Sequence, residues 1–160
     1  MTGIGYAMFC IVCMLIAAIL QYGVAPSMSI GLLSPDFLLV TSSVLCLTVR
    51  PGTGAGTGFL AGLIQGALAG ANITHYVVSR AVSGFLLSWS RDSGLEFGTA
   101  ATSIAVMIAT VGARLIFMFF AAPPDIGAFL QATILMALYN GVIAVPTSIL
   151  LYRWAKPKKV

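Results

Sequence analysis

The sequence predicts an all-α membrane protein, a six-transmembrane-helix bundle forming one domain over residues 1–160, with both termini in the cytoplasm. Three observations carry this. First, 59% of the 160 residues are hydrophobic and 8% are charged, whereas a soluble domain carries about 25% charged residues. So few charges could not cover the surface of a domain in water, and lipid is the natural solvent. Second, Pro, Gly and charged residues cut the chain into six apolar segments, which fits a span length of about 20 residues. Third, Lys and Arg fall on alternate connections, as the positive-inside rule requires.

The elements follow in order. The first helix is expected from about Gly5 to Ala25 and ends at Pro26. No charged residue precedes Asp36, so the start lacks the basic region of a secretory signal, and this helix is expected to be retained. A Ser-rich loop, Pro26 to Pro35, leads to a short second helix, Asp36 to Val49, which turns at Arg50-Pro51-Gly52. The third helix is Thr53 to Gly70, with a tight connection at Ala71-Asn72. The fourth, Ile73 to Ser90, closes at Arg91-Asp92-Ser93-Gly94. The fifth, Phe97 to Ala121, stops at Pro123-Pro124-Asp125. The sixth, Phe129 to Trp154, runs into a basic tail at residues 155–160 that holds Lys156, Lys158 and Lys159. With the N-terminus inside, Arg50, Arg91, Arg153 and these lysines all fall on the cytoplasmic face, and the outer loops carry only Asp36 and Asp125. The tail cations anchor that topology and add attraction to anionic lipid.

Two sets of residues carry further information. Gly54, Gly58, Gly62, Gly66 and Gly70 recur every fourth residue of the third helix, which keeps them on one face. Close backbone approach drives association in lipid, where apolar area provides little. Such a face suits packing on a neighbouring helix, an interface with another protein, or a wall for a flat ligand. The second set is polar and lies in the outer half of the bundle: Gln65, Asn72, His75, Arg80, Arg114 and Gln131, with Asn140 near the middle. An Arg at membrane depth costs a few kcal/mol and faces the bundle interior, a water cavity or a partner. Arg80 or Arg114 is expected to pair with Asp36 or with helix-end carbonyls, and both lie within snorkelling reach of the outer surface. The set would either line an outward-facing cavity for a small molecule or act as interhelical polar contacts with a docking surface.

The sequence offers little for catalysis. His75 is the single histidine, without the companions of a metal site. Ser83 stands too far along the helix from His75 for a Ser–His pair. The glycines of the third helix lack the Gly-Lys-Ser/Thr ending of a phosphate loop. Cys10-Ile11-Val12-Cys13 has redox-motif spacing in a wholly apolar setting, and Cys10, Cys13 and Cys46 read as buried small side chains. No enzyme activity, cofactor, metal or nucleic acid is expected.

Three stretches resemble the family of the rod shape-determining protein MreD. Pro35-Asp36-Phe37-Leu38-Leu39-Val40 is similar to that family's Pro-(Asp/Asn)-aliphatic start of its second helix. Gly54 through Gly70 resembles its glycine-rich third helix, and Asn140 through Pro146 to Arg153 resembles its last. The likeness covers nearly the whole chain. It departs where many members carry an acid after the glutamine of the third helix and this chain has Gly66, so a role built on that acid does not carry over. The resemblance implies a non-enzymatic scaffold of the cell-elongation machinery, which serves peptidoglycan synthesis, in the bacterial cytoplasmic (inner) membrane. The expected partner is an MreC-like single-span protein, and more widely MreB, RodA and a class B penicillin-binding protein. The family is similar in fold to the substrate-binding subunits of energy-coupling-factor vitamin transporters. That gives the alternative reading, in which the outer polar groups hold a vitamin.

Overall fold

A computed structural model describes residues 3–31 and 33–154. The tail lysines therefore lie outside the described residues. Six helices make up its regular structure: α1 (Gly3–Gly23), α2 (Phe37–Cys46), α3 (Pro51–Ala69), α4 (Ile73–Asp92), α5 (Thr99–Phe120) and α6 (Ile126–Trp154). Three of these, α1, α5 and α6, are long and apolar enough to cross a membrane. The helices α3 and α4 are of similar length but richer in Gly, Ser and Thr.

Helix boundaries follow local chemistry. The start of α3 is set by Pro51, whose fixed φ and missing N–H suit the first helical position. It ends at Gly70, which takes a left-handed φ of 65°. The α3–α4 connection then turns through Asn72, also left-handed at φ 59° and the one positive-φ residue other than glycine among those described. The sixth helix starts three residues before the expected Phe129, because the Asp125 carboxylate accepts from the Ala128 N–H at 3.0 Å and caps it.

The largest difference from expectation is α2. It has ten residues, ending at Cys46 where Val49 was expected. The Thr48 hydroxyl donates to the Leu45 carbonyl at 2.7 Å, and tight backbone bonds close the turn there. Ten residues rise about 15 Å, half of a hydrocarbon core of about 30 Å. This helix forms the centre of the molecule. Every residue from Leu38 to Cys46 is buried. Leu38, Val40, Val44 and Leu45 pack with Met14 of α1, Ala61 of α3, Val106 of α5 and Ile143 of α6. Its start is level with the middle of the bundle, since Asp36 meets Asn140, which stands midway along the 29-residue α6. The chain from residue 24 to 36 therefore runs down from the end of α1 into the interior, with one isolated bridge between Ile30 and Leu33.

The glycine face packs against α4. A Cβ on Gly58 would strike the Arg80 carbonyl, one on Gly62 would lie 2.5 Å from the Tyr76 carbonyl, and one on Gly66 would lie 2.6 Å from the Ile73 Cα. At the other end Gly54 meets Ser88 and Gly84, and a Cβ on Gly84 would lie 2.5 Å from the Gly54 carbonyl. Each step of four residues along α3 is thus met by a like step back along α4, and the antiparallel backbones touch. Gly70 does not belong to this face. It is the left-handed cap of α3 with open space around it, because the helix has ended before the fourfold spacing reaches it.

Candidate functional site

Polar side chains at depth gather around the start of α2. Helix N-termini leave backbone N–H groups without intrahelical partners, and here that end is enclosed by protein. Two of these groups are met by side chains from other helices and a third by the cap residue itself. The Asn140 Oδ1 accepts from the Asp36 N–H at 3.0 Å, and the Gln21 Oε1 accepts from the Phe37 N–H at 2.8 Å. Gln21 also donates through Nε2 to the Pro35 carbonyl at 3.1 Å. The Asp36 Oδ1 caps the helix by accepting from the Leu39 N–H at 2.9 Å. Its other oxygen, Oδ2, takes the Arg80 Nη2 at 2.5 Å. Asn140 in turn donates to the Thr110 hydroxyl of α5 at 3.2 Å. Residues from α1, α4, α5 and α6 thereby converge on Pro35-Asp36-Phe37.

Arg80 is 4% exposed and Asp36 17% at the side chain. Asp36 serves two positive partners, the guanidinium and the N-terminal dipole of α2. The Arg80 guanidinium lies 5.9 Å from the centroid of the Tyr76 ring, one turn back along α4. Its Nε and Nη1 are enclosed without a partner among the described residues. The expected pairing with Asp36 is thus made by Arg80.

Arg114 is held differently. Its Nε donates to the Thr133 hydroxyl at 2.9 Å and its Nη1 to the Met136 sulfur at 3.2 Å, both on α6. Its guanidinium lies 4.7 Å from the centre of the Phe129 ring, a cation–π contact. All three contacts are with neutral groups. Arg114 makes no ion pair with a described residue.

The remaining members of the outer polar set lie apart from each other. His75 is wedged among the rings of Phe117, at 5.5 Å, and Phe120, at 5.3 Å, with its Nδ1 enclosed and unpartnered. Gln65 faces α1 across a groove of about 230 Å³ lined also by Gln21, Tyr22 and Leu68, and its Oε1 too is enclosed without a partner. Asn72 and Gln131 are exposed. The set is therefore a central network (Asp36, Arg80, Asn140, with Gln21) surrounded by separate peripheral contacts. Gln21 and Thr110 escaped the sequence reading because a lone Gln or Thr in an apolar helix has no local signature. Only the α2 start that they complete reveals their role.

The cysteines are buried and free, and Cys46 donates through Sγ to the Gly54 carbonyl at 3.3 Å. Among the described residues no group of three or more His, Cys, Asp or Glu could hold a metal ion. No protein-family model matches the chain, and neither a curated protein nor a solved structure matches it.

Proposed function

We propose that this chain is a six-pass protein of the bacterial cytoplasmic membrane, with both termini in the cytoplasm, acting as a non-enzymatic scaffold of the cell-elongation machinery. Its binding partner in this reading is a single-span membrane protein of the MreC kind. The wider assembly would include MreB, RodA and a class B penicillin-binding protein. The second pass combines α2 with the 24–36 segment. Irregular backbone at membrane depth is tolerated where protein encloses it, and Gln21 and Asn140 supply that enclosure.

One observation carries the reading. Asp36, Asn140 and Gln21 are spent on the start of α2, and Arg80 is turned onto Asp36 through Nη2. In a vitamin-binding subunit the same polar groups would be directed at a ligand. What is left for function is surface, and large apolar side chains such as Ile108, Phe119 and Val142 stand exposed on α5 and α6. Copurification from membranes, followed by mass spectrometry of proteins and small molecules, tests it. Recovery of a single-span partner supports the scaffold. Recovery of a bound vitamin together with energising ATPases would overturn it in favour of the transporter subunit.

A further inference from the structure

The start of α2 keeps one donor that no described residue meets. The N–H groups of Asp36, Phe37 and Leu39 go to Asn140, Gln21 and the Asp36 carboxylate, and that of Val40 begins the helical ladder on the Asp36 carbonyl. The Leu38 N–H, on a fully buried residue, makes no hydrogen bond with a described residue. A free N–H at a helix N-terminus favours an anion, because the helix dipole adds to it. Most helices share that tendency. Here two arginines with unengaged nitrogens stand beside it.

Arg80 spends Nη2 on Asp36, while its Nε and Nη1 are enclosed and meet no described group. Arg114 approaches the same carboxylate from the other side. Asn140 binds both the Asp36 N–H and the Thr110 hydroxyl. Arg114 follows Thr110 by one turn on α5, and it binds Met136, one turn before Asn140 on α6. Its guanidinium therefore lies about one turn from the Asp36 N–H, toward the α5–α6 connection, and the Asp36 carboxylate acts on it across that space. The Arg114 Nη2 makes no hydrogen bond with a described residue. The other three acids are placed elsewhere: Asp92 and Glu96 follow the far end of α4, and Asp125 is exposed and caps α6. Two guanidiniums and a helix N-terminus thus share one carboxylate, which leaves a positive charge in excess. Charge at membrane depth is tolerated when it is balanced.

We propose that one small anion, of the size and charge of chloride, binds beside Asp36 among Arg80, Arg114 and the Leu38 N–H, and balances the charge at the centre of the bundle. The Asp36 side chain keeps 17% of its surface exposed and Arg114 is only partly buried, so ions have a way in. The free donors of Arg80 set the size. Its Nε and Nη1 lie on opposite edges of the guanidinium, so a carboxylate or phosphate cannot take both through the parallel fork. A spherical ion accepts from any direction and fits an enclosed place. The anion is a structural counter-ion rather than cargo. The inference needs only this fold, so its failure would leave the scaffold reading untouched.

The test is thermal unfolding of the full-length chain in an uncharged detergent, with sodium chloride exchanged for sodium gluconate at constant ionic strength. Gluconate is too large for the site. The wild-type midpoint should rise saturably with chloride, by about 3–6 °C at ten times the dissociation constant. Arg114→Gln should abolish the rise, and Arg114→Lys should keep part of it. Asp36→Asn removes the competing negative charge and keeps the cap, so it should tighten chloride binding about ten-fold. Arg50→Gln, at an exposed residue before α3, should respond as the wild type does. If Arg114→Gln fails to fold, Asp36→Asn still decides the question, and chloride binding that it leaves unchanged or weakens overturns the site. Equal midpoints in chloride and gluconate overturn it as well. So does a chloride response that survives in Arg114→Gln, which would be a general salt effect. Sulfate acting as strongly as chloride would mean an open oxyanion site, and that also overturns the proposal.

Discussion

Arg80 of α4 and Asp36 at the start of α2 form an ion pair with an N–O separation of 2.5 Å, 44 residues apart in sequence, and the same carboxylate caps α2 through the Leu39 N–H. One side chain thus fixes where the central helix begins and which neighbour it faces. The pair is buried enough that removing either partner leaves an uncompensated charge, at a cost of about 3–5 kcal/mol. Arg80→Gln should therefore strongly lower the unfolding midpoint in detergent. Adding Asp36→Asn to it should recover much of the loss, because Asn keeps the cap and carries no charge. A double-mutant cycle on thermal unfolding measures this, and additive losses would contradict the coupling.

The glycine seam gives a graded series. Gly58→Ala places a methyl against the Arg80 carbonyl and Gly62→Ala places one against that of Tyr76. Each should cost about 3 kcal/mol or more, since backbone rather than a flexible side chain must move. Gly56→Ala meets nothing within 4 Å and should stabilise by up to about 1 kcal/mol through helix propensity. Melting curves of the three variants should separate in that order.

Asn140 is fully buried and holds both the Asp36 N–H and the Thr110 hydroxyl. Asn140→Leu leaves a buried N–H unpaired, a loss of about 1–3 kcal/mol. Hydrogen exchange should show faster exchange at the start of α2, with α3 and α4 protected as before. A uniform change across the molecule would indicate general unfolding.

The orientation is open to a direct check. In a background with Cys10, Cys13 and Cys46 replaced, Ser29→Cys in the 26–35 loop should react with a membrane-impermeant maleimide from outside the cell. Ser93→Cys, after α4, should react only once the membrane is opened. Labelling of Ser29→Cys from the cytoplasmic side alone would overturn the proposed topology.

Much of this arrangement could be read from the chain. Apolar runs bounded by Pro, Gly and charge locate six helices to within a few residues, because breakers act locally. Physical need makes two more features legible: an arginine at depth, Arg80 or Arg114, needs a partner such as Asp36, and four-residue glycine spacing brings backbones together. The shortening of α2 to ten residues is not legible. Residues 36–49 read as one short helix, and its end at Cys46 depends on the Thr48 hydroxyl turning back onto Leu45. The outer polar residues were grouped by depth, which sequence supplies. Their separation around the bundle depends on helix rotation and packing, so His75 joins the rings of α5 while Gln65 looks toward α1.

The short central helix has a consequence for how the protein is made. Insertion machinery selects segments by length and hydrophobicity, and α1, α5 and α6 qualify on both. A ten-residue α2 does not qualify by length. Its partners Gln21, Arg80 and Asn140 are spread from α1 to α6, and Asn140 leaves the ribosome after the other two. The centre of the molecule must therefore be completed after its periphery. A nascent chain arrested before residue 140 should expose the 24–46 region to protease or labelling reagents, and that region should close once α6 has entered the membrane.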